Sequence, residues 1–65
     1  MIKVIYQLKI KEYTLLQLSE GLPNTKCSEA TIDGKTYKTA IVYDLPNHIG
    51  IIGHGNFTGK EVVFN

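Results

Sequence analysis

The sequence predicts an all-β chain, a small antiparallel barrel or roll of five to six strands. Three observations carry that expectation. Residues 1–11 alternate apolar and polar; residues 35–43 form a long run of β-favouring side chains behind an Asp33-Gly34 turn; and Pro-Asn and Gly-Lys pairs recur between the apolar segments. Short alternating runs separated by turn chemistry are the pattern of small sandwiches and barrels.

In the first segment Ile2, Val4, Tyr6, Leu8 and Ile10 fall on one side and Lys3, Gln7, Lys9 and Lys11 on the other, with Ile5 the exception. Period two therefore predicts a strand that buries the Ile2 to Ile10 stripe. Its lysines would face solvent and guard an edge against stray pairing. Glu12 to Gly21 admits two readings. Tyr13 and Thr14 favour a second strand, reached through a bulge or bend because Lys11-Glu12 lacks the Gly or Asn of a tight hairpin. The alternative is an α+β chain with one short helix near residues 12–20, rich in leucine and stopped by Gly21 and Pro23. Leu22 to Ser28 reads as loop.

Ala30, Thr31 and Ile32 lead into Asp33-Gly34, which supplies the positive φ angles of a type I′ hairpin turn. Along the outgoing strand Tyr37, Thr39, Ile41 and Tyr43 share one face; Thr36, Lys38, Ala40 and Val42 share the other. Neither face stays polar, so this strand is expected to be central or to lie between two apolar layers. Asp44 to His48 breaks it with a turn. Ile49 to Ile52 follows as a short apolar strand, with Gly50 and Gly53 marking bulges or close backbone approach. A loop from His54 to Lys60 leads to a closing strand over residues 61–64. Leu22-Pro23-Asn24 recurs as Leu45-Pro46-Asn47, and Ile32-Asp33-Gly34-Lys35 is loosely echoed by Phe57-Thr58-Gly59-Lys60; the offsets differ by two residues, and chance explains the echo as well as duplication does.

With 65 residues the chain reads as a single small β domain, near the lower size limit for a self-sufficient core. Folding removes about 6,400 Å² from water by the scaling of accessible surface with mass. If about 60% of that is apolar, burial contributes roughly 95 kcal/mol. Ordering the chain at about 1.5 kcal/mol per residue costs a similar amount. Such a chain needs good local turns, a partner, or both.

Cys27 is the only cysteine, so no internal disulfide staples the fold. One Cys and two His fall short of the four ligands of structural zinc, and no metal or cofactor is expected. There is no basic-then-apolar leader and no apolar run near 18 residues; neither signal peptide nor membrane span is predicted, and cytoplasm is the expected compartment. Net charge is +1, and the basic residues are lysines without a single arginine. Arginine is the preferred side chain for reading guanine and gripping phosphate, so a sequence-reading DNA binder is disfavoured.

Four stretches invite a functional reading. Gly55 to Lys60 imitates a phosphate loop but has three residues between its glycines instead of four, and Glu61 where a hydroxyl should bind magnesium. Tyr43, Asp44, His48 and His54 crowd polar chemistry into one region, yet turn formation accounts for Asp44 and no nucleophile stands beside it. Tyr37 between Lys35 and Lys38 is the aromatic-basic mixture with which small barrels stack single-stranded bases. Finally, Ile5 and the apolar second face of residues 35–43 exceed what a one-sided sheet needs. The expectation is therefore a non-enzymatic interaction or assembly module, a homo-oligomer (a dimer first) or the partner of another protein, with no membrane. Candidate interface residues are Ile5, Tyr37, Thr39, Ile41 and Tyr43. The alternative is weak single-stranded nucleic-acid binding through Lys35, Tyr37 and Lys38.

Overall fold

The structure, a computed structural model, describes residues 1–23, 27–42 and 45–65. Six strands run in chain order: β1 (Val4–Ile10), β2 (Tyr13–Leu18), β3 (Glu29–Ile32), β4 (Lys35–Ile41), β5 (His48–Ile52) and β6 (Val62–Phe64). They form one antiparallel sheet in the order β1-β2-β5-β4-β3-β6. The expected all-β class is what the chain adopts. The helix alternative fails: Tyr13–Leu18 pairs on both sides as a strand, and its alternate residues Thr14, Leu16 and Leu18 are buried.

Local chemistry explains the turns. Asp33 and Gly34 both take positive φ, 53° and 83°, as a type I′ hairpin requires. The β1–β2 hairpin closes without glycine, at the cost of Lys11 in the left-handed region at φ 55°. As expected of the run behind Asp33-Gly34, β4 is an internal strand, paired with both β3 and β5.

The core is one cluster: Val4, Leu16, Leu18, Ala30, Ile32, Ile49, Ile51, Phe57 and Val62. Five of the six strands contribute to it, and β4 adds Tyr37, half-buried with its ring edge-on to Phe57 at 5.3 Å. A sheet with a single buried face and, among the described residues, no helix to cover it must curl so that its two halves cover each other. At one end the edges approach. The Val4 N–H donates to Lys60 O, while Val4 O accepts from the Gly59 N–H and Ile2 O from the Val62 N–H. Among the described residues only these bonds and a single Lys3–Glu61 β-bridge join the edges, so the ladder does not close into a full barrel and the molecule is a roll.

One expectation is corrected. Tyr6, Leu8 and Ile10 do not share the buried face of Val4; they are 58%, 48% and 44% exposed. A bulge is the cause. Val4 pairs with Leu18 and Tyr6 with Gln17, so Ile5 is an extra residue opposite no partner of its own. One inserted residue reverses the parity of everything after it. Gln7, written among the solvent-facing residues, turns inward instead. Its amide Nε2 donates to Gly55 O at 2.8 Å, and its Oε1 accepts from the N–H groups of Phe57 and Thr58 at 2.5 and 3.1 Å.

Candidate interaction surface

The reversal moves an apolar stripe to the outside of the roll. Pairing aligns it with its neighbours: Leu8 opposite Leu15, Ile10 opposite Tyr13, Tyr13 opposite Ile52, Leu15 opposite Gly50 and Gly50 opposite Ala40. All lie on the face opposite Thr14, Leu16, Ile49 and Ile51, which are buried. The result is a continuous apolar surface over β1, β2, β5 and the end of β4.

Gly50 shapes its centre. It has no side chain between Leu15 and Ala40, and a Cβ there would stand 3.2 Å from Ala40 O. The strands therefore approach closely, as a glycine within a strand suggests. Above this glycine lies a hollow of about 140 Å³, walled by Ile10, Tyr13, Leu15, Ala40 and Val42. An apolar cavity of roughly 150 Å³ is known to hold a benzene ring, so the hollow has room for one aromatic side chain.

The size of the surface is informative. At about 200 Å² per large side chain, the exposures of Tyr6, Leu8, Ile10, Tyr13 and Ile52 leave roughly 470 Å² of these residues open to water. That lies within the about 300–600 Å² of the largest patch on an ordinary monomer, a patch that is often functional. The rest of the outer face shows what this chain does where it meets only solvent. There Thr31 and Thr36 bond across the β3–β4 pair at 3.0 Å, Glu29 stands opposite Lys38, and the Asn65 amide donates to Thr31. Val63 is the apolar exception. Charge is absent from the apolar half, the compositional mark of an interface centre.

The sequence-derived interface residues do not gather into one surface. Ile5 and Ile41 are 52% and 53% exposed, on strands separated by β2 and β5. Tyr37 leans on the core, and the Thr39 hydroxyl donates to Cys27 O. Tyr43 lies outside the described residues, as does Asp44. Of the surplus face of residues 35–43, Ala40 and Val42 do line the hollow. The residues that sequence reasoning missed were Tyr6, Leu8 and Ile10, and the signal was Ile5 interrupting the alternation.

A second, polar cleft of about 190 Å³ is lined by Ile32, Asp33, Lys35, Tyr37, His54, Gly55, Asn56 and Phe57. It brings Lys35 and Tyr37 together; Lys38 is exposed on the opposite face of β4. Asp33 is paired at 3.6 Å with Lys60, an exposed contact that contributes little. His48 Nδ1 donates to Pro46 O at 2.7 Å, which leaves it serving its own turn. Among the described residues no three His, Cys, Asp or Glu side chains gather as a metal would need, and no helix is long and apolar enough to cross a membrane. Comparison of the chain with protein-family models, with curated proteins and with solved structures finds no match in any of the three.

Proposed function

We propose that this protein is a non-catalytic assembly module that associates with a second copy of itself through the apolar outer face of β1, β2, β5 and β4. The observation that carries the reading is the position of Leu8, Ile10, Tyr13 and Ile52, all at least a third exposed on one continuous face. Two copies packed on this face remove about 900 Å² from these four side chains and Tyr6 together, and Leu15, Ala40 and Val42 bring the total near the ~1,000 Å² of a specific interface. A two-fold arrangement is favoured because one self-complementary patch then suffices and the assembly closes.

The test is the mass in solution. Light scattering over a wide concentration range should show a concentration-dependent shift from 7.3 kDa to twice that value. Leu8→Glu should hold the protein at monomer mass with an unchanged far-UV circular dichroism spectrum, since Leu8 takes no part in the core. A parent protein that stays monomeric throughout would sink the reading.

A weaker second reading is single-stranded nucleic-acid contact. It rests on Lys35 and Tyr37 sharing a cleft with His54. Half-burial of Tyr37 against Phe57 limits the ring face it offers for stacking. Titration of a labelled oligonucleotide at low salt distinguishes the two readings.

A further inference from the structure

We infer that Tyr6 of one copy seats its ring in the Gly50 hollow of the other, twice over, across a two-fold axis that crosses the face between Tyr6 and the hollow. The inference rests on the self-association proposed above and specifies its geometry. Three observations carry it. The hollow is ring-sized and lined by apolar side chains. Tyr6 is the most exposed large apolar residue on the same strands, 58% open, and projects from the outer face at the end away from the hollow. Leu8, Leu15, Gly50 and Ala40 stand in one cross-strand row, so Tyr6 lies one outward-facing position along β1 from the row that floors the hollow.

The distances suit a two-fold exchange. Two residues along the strands and two strand spacings across the sheet separate Tyr6 from Gly50 beneath the hollow, about 12 Å. When two sheets pack face to face, a two-fold axis in the interface plane exchanges any two points placed symmetrically about it. An axis midway between Tyr6 and the hollow, running obliquely across the strands beside Leu8, delivers each ring to the other copy's hollow. A cluster of apolar contacts ringed by two buried tyrosines then closes the interface, the arrangement that concentrates binding energy in a few residues. The phenol oxygen, at the tip of a ring that is otherwise apolar, is dispensable for filling the hollow.

Complementation tests this directly. Tyr6→Ala removes the projecting ring, and Ala40→Phe fills the hollow from within. Each variant alone should dimerise roughly a hundredfold more weakly than the parent, because each dimer loses two anchoring contacts. Mixed in equal amounts they should restore a heterodimer: the hollow of Tyr6→Ala receives the intact tyrosine of its partner, and the filled hollow meets no ring. Tyr6→Phe should associate like the parent. If the parent dimerises but Tyr6→Ala dimerises equally well, or the mixture fails to recover, the tyrosine contact is wrong while association through the face stands. If the parent is monomeric, both fall together. Val42→Phe fills the same hollow from its rim and serves where Ala40→Phe loses its native spectrum.

Discussion

Gln7 illustrates how much one side chain can decide. The 55–58 loop has no strand of its own to pair with, and the Gln7 amide supplies the missing partners: an acceptor for the N–H groups of Phe57 and Thr58 and a donor to Gly55 O. Phe57 is 4% exposed, so this polar side chain holds a core residue in place. Gln7→Ala should cost about 2–3 kcal/mol, the loss of bonds that leaves partly buried backbone groups unpaired. Denaturant melts read the total, and amide exchange at Phe57 and Thr58 should accelerate ahead of the rest. Gly53 is a second such position. Its φ is 136°, and a Cβ would stand 3.1 Å from the Tyr37 ring. Gly34, at φ 83°, faces open space. Gly53→Ala should therefore destabilise by about 1–3 kcal/mol from backbone strain, with the displaced Tyr37 adding to it, and should lower the thermal midpoint more than Gly34→Ala. Equal losses would contradict this ranking.

At the scale of the element, the bulge in β1 controls which face is which. With Ile5 counted as an extra residue, Val4 points in, Tyr6 out, Gln7 in and Leu8 out, which matches the pairing with Leu18, Gln17, Leu16 and Leu15. Deleting Ile5 should leave that assignment intact, because a regular strand running Val4-Tyr6-Gln7 has the same alternation. The predicted outcome is a folded protein in which Gln7 still protects the Phe57 amide and the apolar outer stripe is still exposed. Deleting Gln7 instead should send Leu8 and Ile10 inward and misfold the edge. Amide exchange at Phe57 separates the two deletions. The existence of β1 was legible in the alternation from Ile2 to Ile10, and Ile5 was visible as its one irregularity. What was not legible is that the irregularity is a bulge, since an odd residue in a strand pattern fits equally well as an exposed isoleucine. The hairpin at Asp33-Gly34 was readable because its two positive φ angles are local demands met by local residues.

At the scale of the whole molecule, a sheet that rolls upon itself has one interior and one exterior, and the exterior here is divided. Threonine, glutamate and lysine cover the β3–β4 side, while Leu8, Ile10, Tyr13 and Ile52 cover the β1–β2–β5 side. Association through the second side is hydrophobic and should persist at high salt, where a screening length of ~3 Å removes surface charge effects. Nucleic-acid contact through lysines would instead weaken steeply as salt rises. Sedimentation and oligonucleotide titrations at low and high salt, run side by side, separate the two. The interface residues named from sequence were, beside Ile5, those of the tyrosine-bearing set Tyr37, Thr39, Ile41 and Tyr43. In the fold Tyr37 joins the core, and it is Ala40 and Val42 from the other face that border the hollow.

By itself the sequence determined an all-β chain with every strand but the second, the Asp33-Gly34 hairpin, a central place for the run behind it and a core too small to be generous; residues 12–20 it left between strand and helix. These follow from period-two patterning and turn chemistry, which are local. Only the tertiary structure decided which side of each strand is inside. Alternation says that Leu8 and Ile10 travel together, but their side of the sheet depends on how β1 registers against β2, and Ile5 shifts that register by one residue. A one-residue shift converts a buried stripe into an exposed one, and with it a core into a docking face.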